Sequence, residues 1–479
     1  MYDGETIVPR EEDRVAKLMR CKYCGTLQDE PRGAKVCVQC GGELGFPPTD
    51  PWSGGPNSYI RAQLELDQIA APCDQPVERH LVLTIETPAT VPPAEQSPAG
   101  SGRGPLHFVA VLDTSGSMRG AKVAAATEAV QQATQRLQDG DLFSLVTFAT
   151  DVQCPLSCRG VDASFRRVIA SSLQEIQAGG QTALCGGLEL GIQQVWASPG
   201  ATNLVLLVSD GQANVGETEI EAIGRRAIDA RARAITVSTV GVGQDYNEAL
   251  MAEIAIDGGG RFYHIADANR IAAYLTGELG EVASLAARDT AVDLRLPINA
   301  VVQTLSAAYP VRAHTVSLGD IPLATTLEVV IRLLLPPQPS GSRLPLGGIL
   351  SYVTPADSKL TMPLNDVTLR YQGIGQWAPV AGAVRPIVRR VLDHMQAAGV
   401  LATSRAATRS PGDAQQQSKE RLGAMREYAA LLGEDGEARR ALADSERVLH
   451  EVAAAAPAAK AATHAAMRRH RGSKDFDKA

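Results

Sequence analysis

Residues 106–117 read Leu-His-Phe-Val-Ala-Val-Leu-Asp-Thr-Ser-Gly-Ser. The run Phe108–Leu112 is short, partly β-branched and apolar on both faces, the pattern of a central parallel strand covered by helices. Asp113, Ser115 and Ser117 then fall in the loop at the strand's carboxyl end, where open α/β sheets hold their ligands. Three hard oxygen side chains crowded there suit a magnesium-like ion. The plainer alternative is a polar loop capping the next helix, since Ser is a favoured cap.

Two further segments give this triplet its context. Gly179-Gly180-Gln181-Thr182 lies between two candidate helices, the second at Leu184–Trp196. Ala201–Ser209 reads as another buried strand, closed by Asp210-Gly211. Taken alone, Thr182 reads as a helix cap and Asp210 as a turn residue. Together the three segments deliver Asp113, Ser115, Ser117, Thr182 and Asp210 to one edge of one sheet.

This pattern resembles the von Willebrand factor A (VWA) family and its metal-ion-dependent adhesion site, over about residues 106–280. The resemblance implies that Ser115, Ser117 and Thr182 bind the ion directly, while Asp113 and Asp210 act through water. The ion expected is Mg2+, with Mn2+ or Ca2+ as substitutes. Neutral hydroxyls cancel little of a divalent charge, so the ion stays electrophilic. Magnesium usually keeps waters, and one of them can give way to a carboxylate of another molecule. The site therefore reads as a docking point for a protein partner that offers Asp or Glu.

The rest of the segment repeats strand and helix. Helices are expected at Ala121–Leu137, Phe165–Leu173, Glu217–Arg233, Tyr246–Ile256 and Ala268–Leu279. Strands are expected at Asp141–Ala149, Ala234–Val240 and Arg261–Ile265. Such alternation predicts a doubly wound, Rossmann-like parallel sheet with helices on both faces. Gly241-Val242-Gly243 lacks the third glycine of a dinucleotide loop and sits on a late strand, so it does not predict nucleotide binding.

Four of the eight cysteines stand as Cys21-x-x-Cys24-Gly and Cys37-x-x-Cys40-Gly. The spacing is that of a structural zinc site with four cysteine ligands, and residues 18–45 resemble the zinc-ribbon family. In so short a segment Zn2+ would supply the folding energy. Cys73, Cys154, Cys158 and Cys185 lack ligand spacing and read as buried or incidental thiols.

A Pro/Gly-rich linker, 46–57, leads to Tyr59–Asp67, where apolar and polar residues alternate strictly. A second strand follows at Leu81–Ile85, and matching β segments reappear only after the central domain, at 289–372. Two lone strands are unstable, so 58–88 and 289–372 are expected to form one discontinuous β-sandwich with the α/β domain inserted into it. Inter-α-trypsin inhibitor heavy chains and bacterial A-domain proteins look similar in this flanking arrangement. Residues 383–456 show helical spacing, with separators at Thr403–Asp413 and Gly433–Gly436. These helices could pack on the sandwich or present a partner surface. Residues 457–479, Ala-rich and ending in basic residues, read as a disordered tail.

The fold class expected for the 479 residues is therefore multidomain: a zinc ribbon, an α/β domain set between β-sandwich segments, and a C-terminal helical region. A formal net charge of −7 gives no global pull toward nucleic acid or anionic membrane. Acidic residues crowd the first twenty positions and no apolar run reaches membrane-spanning length, so the expected setting is cytoplasmic. The function expected is a non-catalytic, metal-dependent protein-interaction module. Resemblance to intracellular A-domain proteins such as the metal chelatases implies a ring ATPase or another member of a multi-component bacterial system as partner. One alternative is a nucleic-acid-associated zinc-ribbon protein. The other is a metal-dependent hydrolase, which needs a base near the ion. His107 reads as a core residue and Glu189 as a packed or solvated one, so neither fills that role.

Overall fold

The computed structural model describes residues 18–20, 27–29, 58–92, 105–195, 201–210, 213–243, 246–265, 271–373, 385–430, 436–454 and 458–471. At the N-terminus β1 (Leu18–Arg20) and β2 (Leu27–Asp29) pair antiparallel. Cys21 and Cys24 fall between them in sequence and, like Cys37, Cys40 and the linker 46–57, lie outside the described residues.

Three strands precede the central domain: β3 (Arg61–Leu66), β4 (Ala70–Pro72) and β5 (Val77–Glu86). The central domain then runs β6 (Leu106–Asp113), α1 (Ala121–Gln135), β7 (Leu142–Phe148), β8 (Val152–Gly160), α2 (Ala163–Gln174) and α3 (Leu184–Gln193). It continues with β9 (Thr202–Ser209), α4 (Ile220–Ala232), β10 (Ile235–Val242), α5 (Glu248–Asp257), β11 (Gly259–Ile265) and α6 (Ile271–Ala283). Among the described residues the sheet order is β11-β10-β9-β6-β7-β8. Its strands are parallel except β8, which runs antiparallel to β7 along the edge. The fully parallel sheet expected from sequence is thus corrected to a mixed one. The short turn between Phe148 and Val152 leaves no length for a helical crossover, so the chain must return antiparallel.

Alternation within each strand builds two cores. Val109 and Val111 of β6 point into one that holds Leu188 of α3 and Ile223 of α4. Phe108, Ala110 and Leu112 point into the other, with Ala129 of α1, Ile169 of α2 and Leu275 of α6. Because both faces are covered, all of β6 is buried.

After the central domain come β12 (Leu285–Arg295), β13 (Val301–Thr304), β14 (Val311–Arg312), β15 (Thr315–Pro322), β16 (Thr326–Leu335), β17 (Arg343–Val353), β18 (Lys359–Pro363) and β19 (Val367–Gln372). The sheet begins at Leu285, four residues before the expected boundary at 289, directly after α6 ends at Ala283. Strands from before and after the central domain share sheets: β5 pairs β16 along ten residues, from Val77↔Leu335 to Glu86↔Thr326, and β4 pairs β19. The two sheets pack face to face through Leu64, Leu83, Leu350 and Tyr371. Asn365 fastens them, its Nδ2 donating to Leu64 O at 2.9 Å while its Oδ1 accepts from Leu64 N at 2.7 Å.

The helices are α7 (Arg385–Ala407), α8 (Pro411–Ala429), α9 (Gly436–Ala453) and α10 (Ala458–Arg471). The separator expected at 403–413 shrinks to Thr408–Ser410, where Ser410 caps α8 by accepting from Asp413 N at 3.0 Å. The bundle packs on the outer face of the β5–β16 pair, through Val82 and Val330. That sheet is therefore buried on both sides, which explains the unbroken apolar run at Leu81–Leu83.

The disordered tail expected at 457–479 is corrected in its first part. Alanine is the best helix former, and Thr463, His464 and Met467 recur on one buried face of α10. His464 meets the rings of Phe262, Tyr263 and Tyr274 of the central domain at centroid distances of 6.1, 6.1 and 6.3 Å. No helix among the described residues is long and apolar enough to cross a membrane.

Candidate functional site

Strand β6 ends in Asp113 at the carboxyl edge of the sheet, next to the end of β7. Thr114 pins the following loop there: its N–H and hydroxyl both donate to Phe148 O, at 2.8 and 3.1 Å. A single 3-10 turn, Gly116–Met118, follows. Ser115 flanks this turn yet makes no side-chain capping bond, so the helix-cap reading does not account for it. Instead its hydroxyl lies 3.0 Å from that of Ser117, and Ser117 Oγ donates to Asp210 Oδ1 at 2.7 Å. Asp210 closes β9, the strand beside β6. Four of the five candidate residues, Asp113, Ser115, Ser117 and Asp210, are thus joined in one hydrogen-bonded chain of side chains and the Ser115 backbone.

Thr182 arrives from the neighbouring loop. Gly116 N donates to Gly180 O at 3.0 Å and Gly179 N to Thr114 O at 2.7 Å, which binds the two loops edge to edge. Gly180 has φ +85°, and a Cβ there would come within 2.7 Å of Thr150 Oγ1. Glycine is required on both counts. Thr182 itself is 4% exposed and is held by its backbone: its N–H donates to Asn214 Oδ1 at 2.8 Å, and its carbonyl accepts from Asn214 N at 3.1 Å. The capping residue of α3 is Ala183, not Thr182.

Both carboxylates are fully buried. Burial pushes the Asp113 carboxyl above the usual carboxylate range, and the charge of Asp210 adds to that. Hydrogen bonds to Asp113 from Ser115 N (2.8 Å) and Ser209 Oγ (2.5 Å) work against the rise. Lys122, from the first turn of α1, places its ammonium on Asp210 Oδ2. Sequence reasoning does not reach Lys122, Ser209 or Asn214. Ser209 adjoins Asp210, a signal that could have found it; nothing local points Lys122 or Asn214 at the site.

The donor set is two carboxylates and three hydroxyls, all hard oxygens, which suits a magnesium-like ion rather than a thiophilic one. Among the described residues no three His, Cys, Asp or Glu side chains cluster as a metal site.

A base for hydrolysis is not supplied by the two residues considered from sequence. His107 is buried at the opposite end of β6, 3.4 Å from Cys158 Sγ and roughly 20 Å along the strand from Asp113. Glu189 accepts from Arg226 Nε at 2.6 Å on the surface of α3 and α4. Cys73, Cys154, Cys158 and Cys185 form no disulfide, and burial pushes the last three thiols up, away from reactivity.

A family model described as the von Willebrand factor type A domain matches residues 108–276. Escherichia coli (strain K12) YfbK is 26% identical over 270 residues, 54% of this chain and 46% of that protein. Human inter-alpha-trypsin inhibitor heavy chain H4 is 29% identical over 218 residues, 43% of this chain and 23% of that protein. The chain thus spans less than half the length of either relative. A solved structure described as von Willebrand factor type A from Catenulispora acidiphila shares the fold, with a TM-score of 0.58 at 17% identity over 89% of this chain and 100% of that one. The matched segment, its six-stranded sheet flanked by helices and its polar loops at the carboxyl edge identify residues 108–276 as a von Willebrand factor type A domain.

Proposed function

We propose that the carboxyl edge of this sheet is a metal-ion-dependent adhesion site, and that the protein is a non-catalytic module which docks an acidic residue of a protein partner. The observation that carries this reading is the chain of oxygens from Asp113 through Ser115 and Ser117 to Asp210, in which Ser115 does not serve as a helix cap. Ser115, Ser117 and Thr182 hold Mg2+ directly in this reading, and Asp113 and Asp210 act through water and balance its charge. When bound, the ion supplies an electrophilic position that a carboxylate can fill. The chain's own residues fix the hydroxyls: Thr114 anchors the first loop, Asn214 the second.

Cys21, Cys24, Cys37 and Cys40 are proposed to hold one Zn2+ in a ribbon at 18–45, as a second contact surface. Zinc-bound thiolates and free thiols both suit a reducing compartment, which we take to be the cytoplasm. A ring ATPase or other member of a multi-component system fits as partner by family resemblance.

The test is ion binding by wild type, Asp113→Ala and Thr182→Ala. Magnesium affinity is expected to fall at least about tenfold in Asp113→Ala, the scale of losing an outer-shell partner. Thr182→Ala removes a direct ligand and should lose at least as much. Equal binding by all three proteins would place the ion elsewhere. For the ribbon, purified protein should carry close to one equivalent of zinc, lost on Cys21→Ser; zinc retained when all four cysteines are serine refutes that assignment.

A further inference from the structure

Asp210 meets two groups of its own chain. Ser117 Oγ donates to Oδ1, and the Lys122 ammonium lies on Oδ2. A serine hydroxyl can donate to a carboxylate and still offer a lone pair to a cation. An ammonium cannot, because it has no acceptor and brings a full positive charge. The Lys122 side chain is 29% exposed, while the Asp210 carboxylate is fully buried, so the pair is screened less than a surface one.

Two features of the chain make this cation a specific one. Arginine outnumbers lysine throughout, and Lys122 is the only lysine from residue 36 to residue 358. It also lies against the backbone at the end of a neighbouring strand. Gly243, at the end of β10 with φ +81°, would bring a Cβ within 3.5 Å of Lys122 Cε and Nζ.

The charge count then decides the chemistry. With both carboxylates ionised, Asp113, Asp210 and Lys122 sum to −1, and a divalent ion takes this set to +1; the Arg119 guanidinium stands on the exposed side of the second loop, its Nε donating to Ala178 O at 3.3 Å, and is counted apart. We infer that Lys122 is a built-in counter-cation that weakens the site's own hold on a divalent ion and leaves an anionic ligand to complete the charge, so that ion and carboxylate bind together. This rests on the adhesion-site reading above. Without Lys122 these side chains carry −2, the loaded site is neutral overall, and the attraction for a carboxylate falls.

Replacing Lys122 therefore has opposite effects on the two ligands. Lys122→Met should tighten the ion by at least about tenfold, since a nearby repelling charge is removed, and should weaken the carboxylate. A lysine that served only to strap α1 to β9 would act otherwise. Its loss would loosen the loop and weaken the ion.

The experiment follows free Mn2+ by electron paramagnetic resonance in the full chain, with and without acetate at constant ionic strength. Wild type, Lys122→Met, Lys122→Arg and Asp113→Ala are compared, the last correcting for acetate's own chelation. Acetate should tighten Mn2+ in wild type, by the same factor by which Mn2+ tightens acetate. Lys122→Met should bind Mn2+ more tightly and show a smaller acetate effect, and Lys122→Arg should keep both wild-type traits. Tight Mn2+ binding by Lys122→Met where wild type shows none supports the inference as well. Wild type that binds Mn2+ without any acetate effect overturns it, whether or not the variants fold. So does Lys122→Met binding no more tightly than wild type while Asp113→Ala has lost the ion, an outcome that leaves the adhesion site standing. No Mn2+ bound by wild type and none by Lys122→Met removes the adhesion site and this inference together.

Discussion

Asp113 shows how little freedom a buried carboxylate has at this edge. Its two oxygens accept from Ser115 N and Ser209 Oγ, so Ser209 orients it as well as covering it. Gly180 has a comparable hold on the second loop. With φ +85° and Thr150 Oγ1 within 2.7 Å of where a Cβ would stand, Gly180→Ala must strain the backbone or push Thr150 away. The expected cost is about 1–3 kcal/mol of stability, read from urea unfolding. The displaced Thr182 should also reduce Mn2+ binding. A Gly180→Ala protein as stable and as metal-competent as wild type would show that this loop relaxes freely.

Helix α5 carries a charge problem at its last turn. Burial pushes the Asp257 carboxyl up to about 7, the charge of Glu253 one turn earlier adds to this, and Arg405 and Arg231 offset part of it. A helix C-terminus also disfavours negative charge. The folded state therefore holds this proton more tightly than the unfolded chain does. Stability from this group is present below the unfolded carboxyl range, near pH 4, and is lost as pH rises toward about 7. Asp257→Asn should flatten the dependence: between about pH 5 and about pH 8, the urea midpoint of wild type should fall more than that of the variant. Parallel curves would mean that the carboxylate is well solvated. Arg405 also bonds Glu253 at 2.9 Å, and so joins α7 to α5 through the same charge cluster.

At the scale of the molecule, the helical bundle is tied to the β-sheets by buried and half-buried polar contacts. Tyr428 of α8 donates to Asp67 Oδ2 at 3.1 Å, and His80 Nδ1 lies 3.1 Å from the same oxygen, which locks the bundle to the β-sheets. Arg390 of α7 bonds Glu65 at 2.7 Å and Glu328 at 2.9 Å, reaching strands on either side of the central domain in sequence. Leu83 is fully buried in β5, which pairs β16. Leu83→Ala should cost about 2–5 kcal/mol. Hydrogen-exchange protection should fall in Thr326–Leu335 as well as in β5. Ending the chain before Ala458 should expose Phe262, Tyr263 and Tyr274 and lower the thermal midpoint of the VWA domain itself. An unchanged domain transition would mean that α10 is only a passenger.

The sequence by itself determined most strands and helices of the VWA domain, because each is signalled locally: an apolar run closed by an acid, or apolar residues at helical spacing. The chain Asp113, Ser115 and Ser117 was legible for the same reason, as alternate positions of one short loop. Tertiary structure decided what depends on partners distant in the chain. β8 alternates Val152, Cys154, Leu156 and Cys158 with exposed positions, yet it carries Pro155, which a sheet tolerates only at an edge, and that edge position is set by the fold. The buried face of α10 spans little more than one turn, so composition suggests disorder where packing against β11 gives a helix. Lys122 looks like any exposed lysine on a helix until the fold brings Asp210, 88 residues later, under its ammonium. Charge balance is a property of space, not of spacing, and that is why it could be read only from the folded chain.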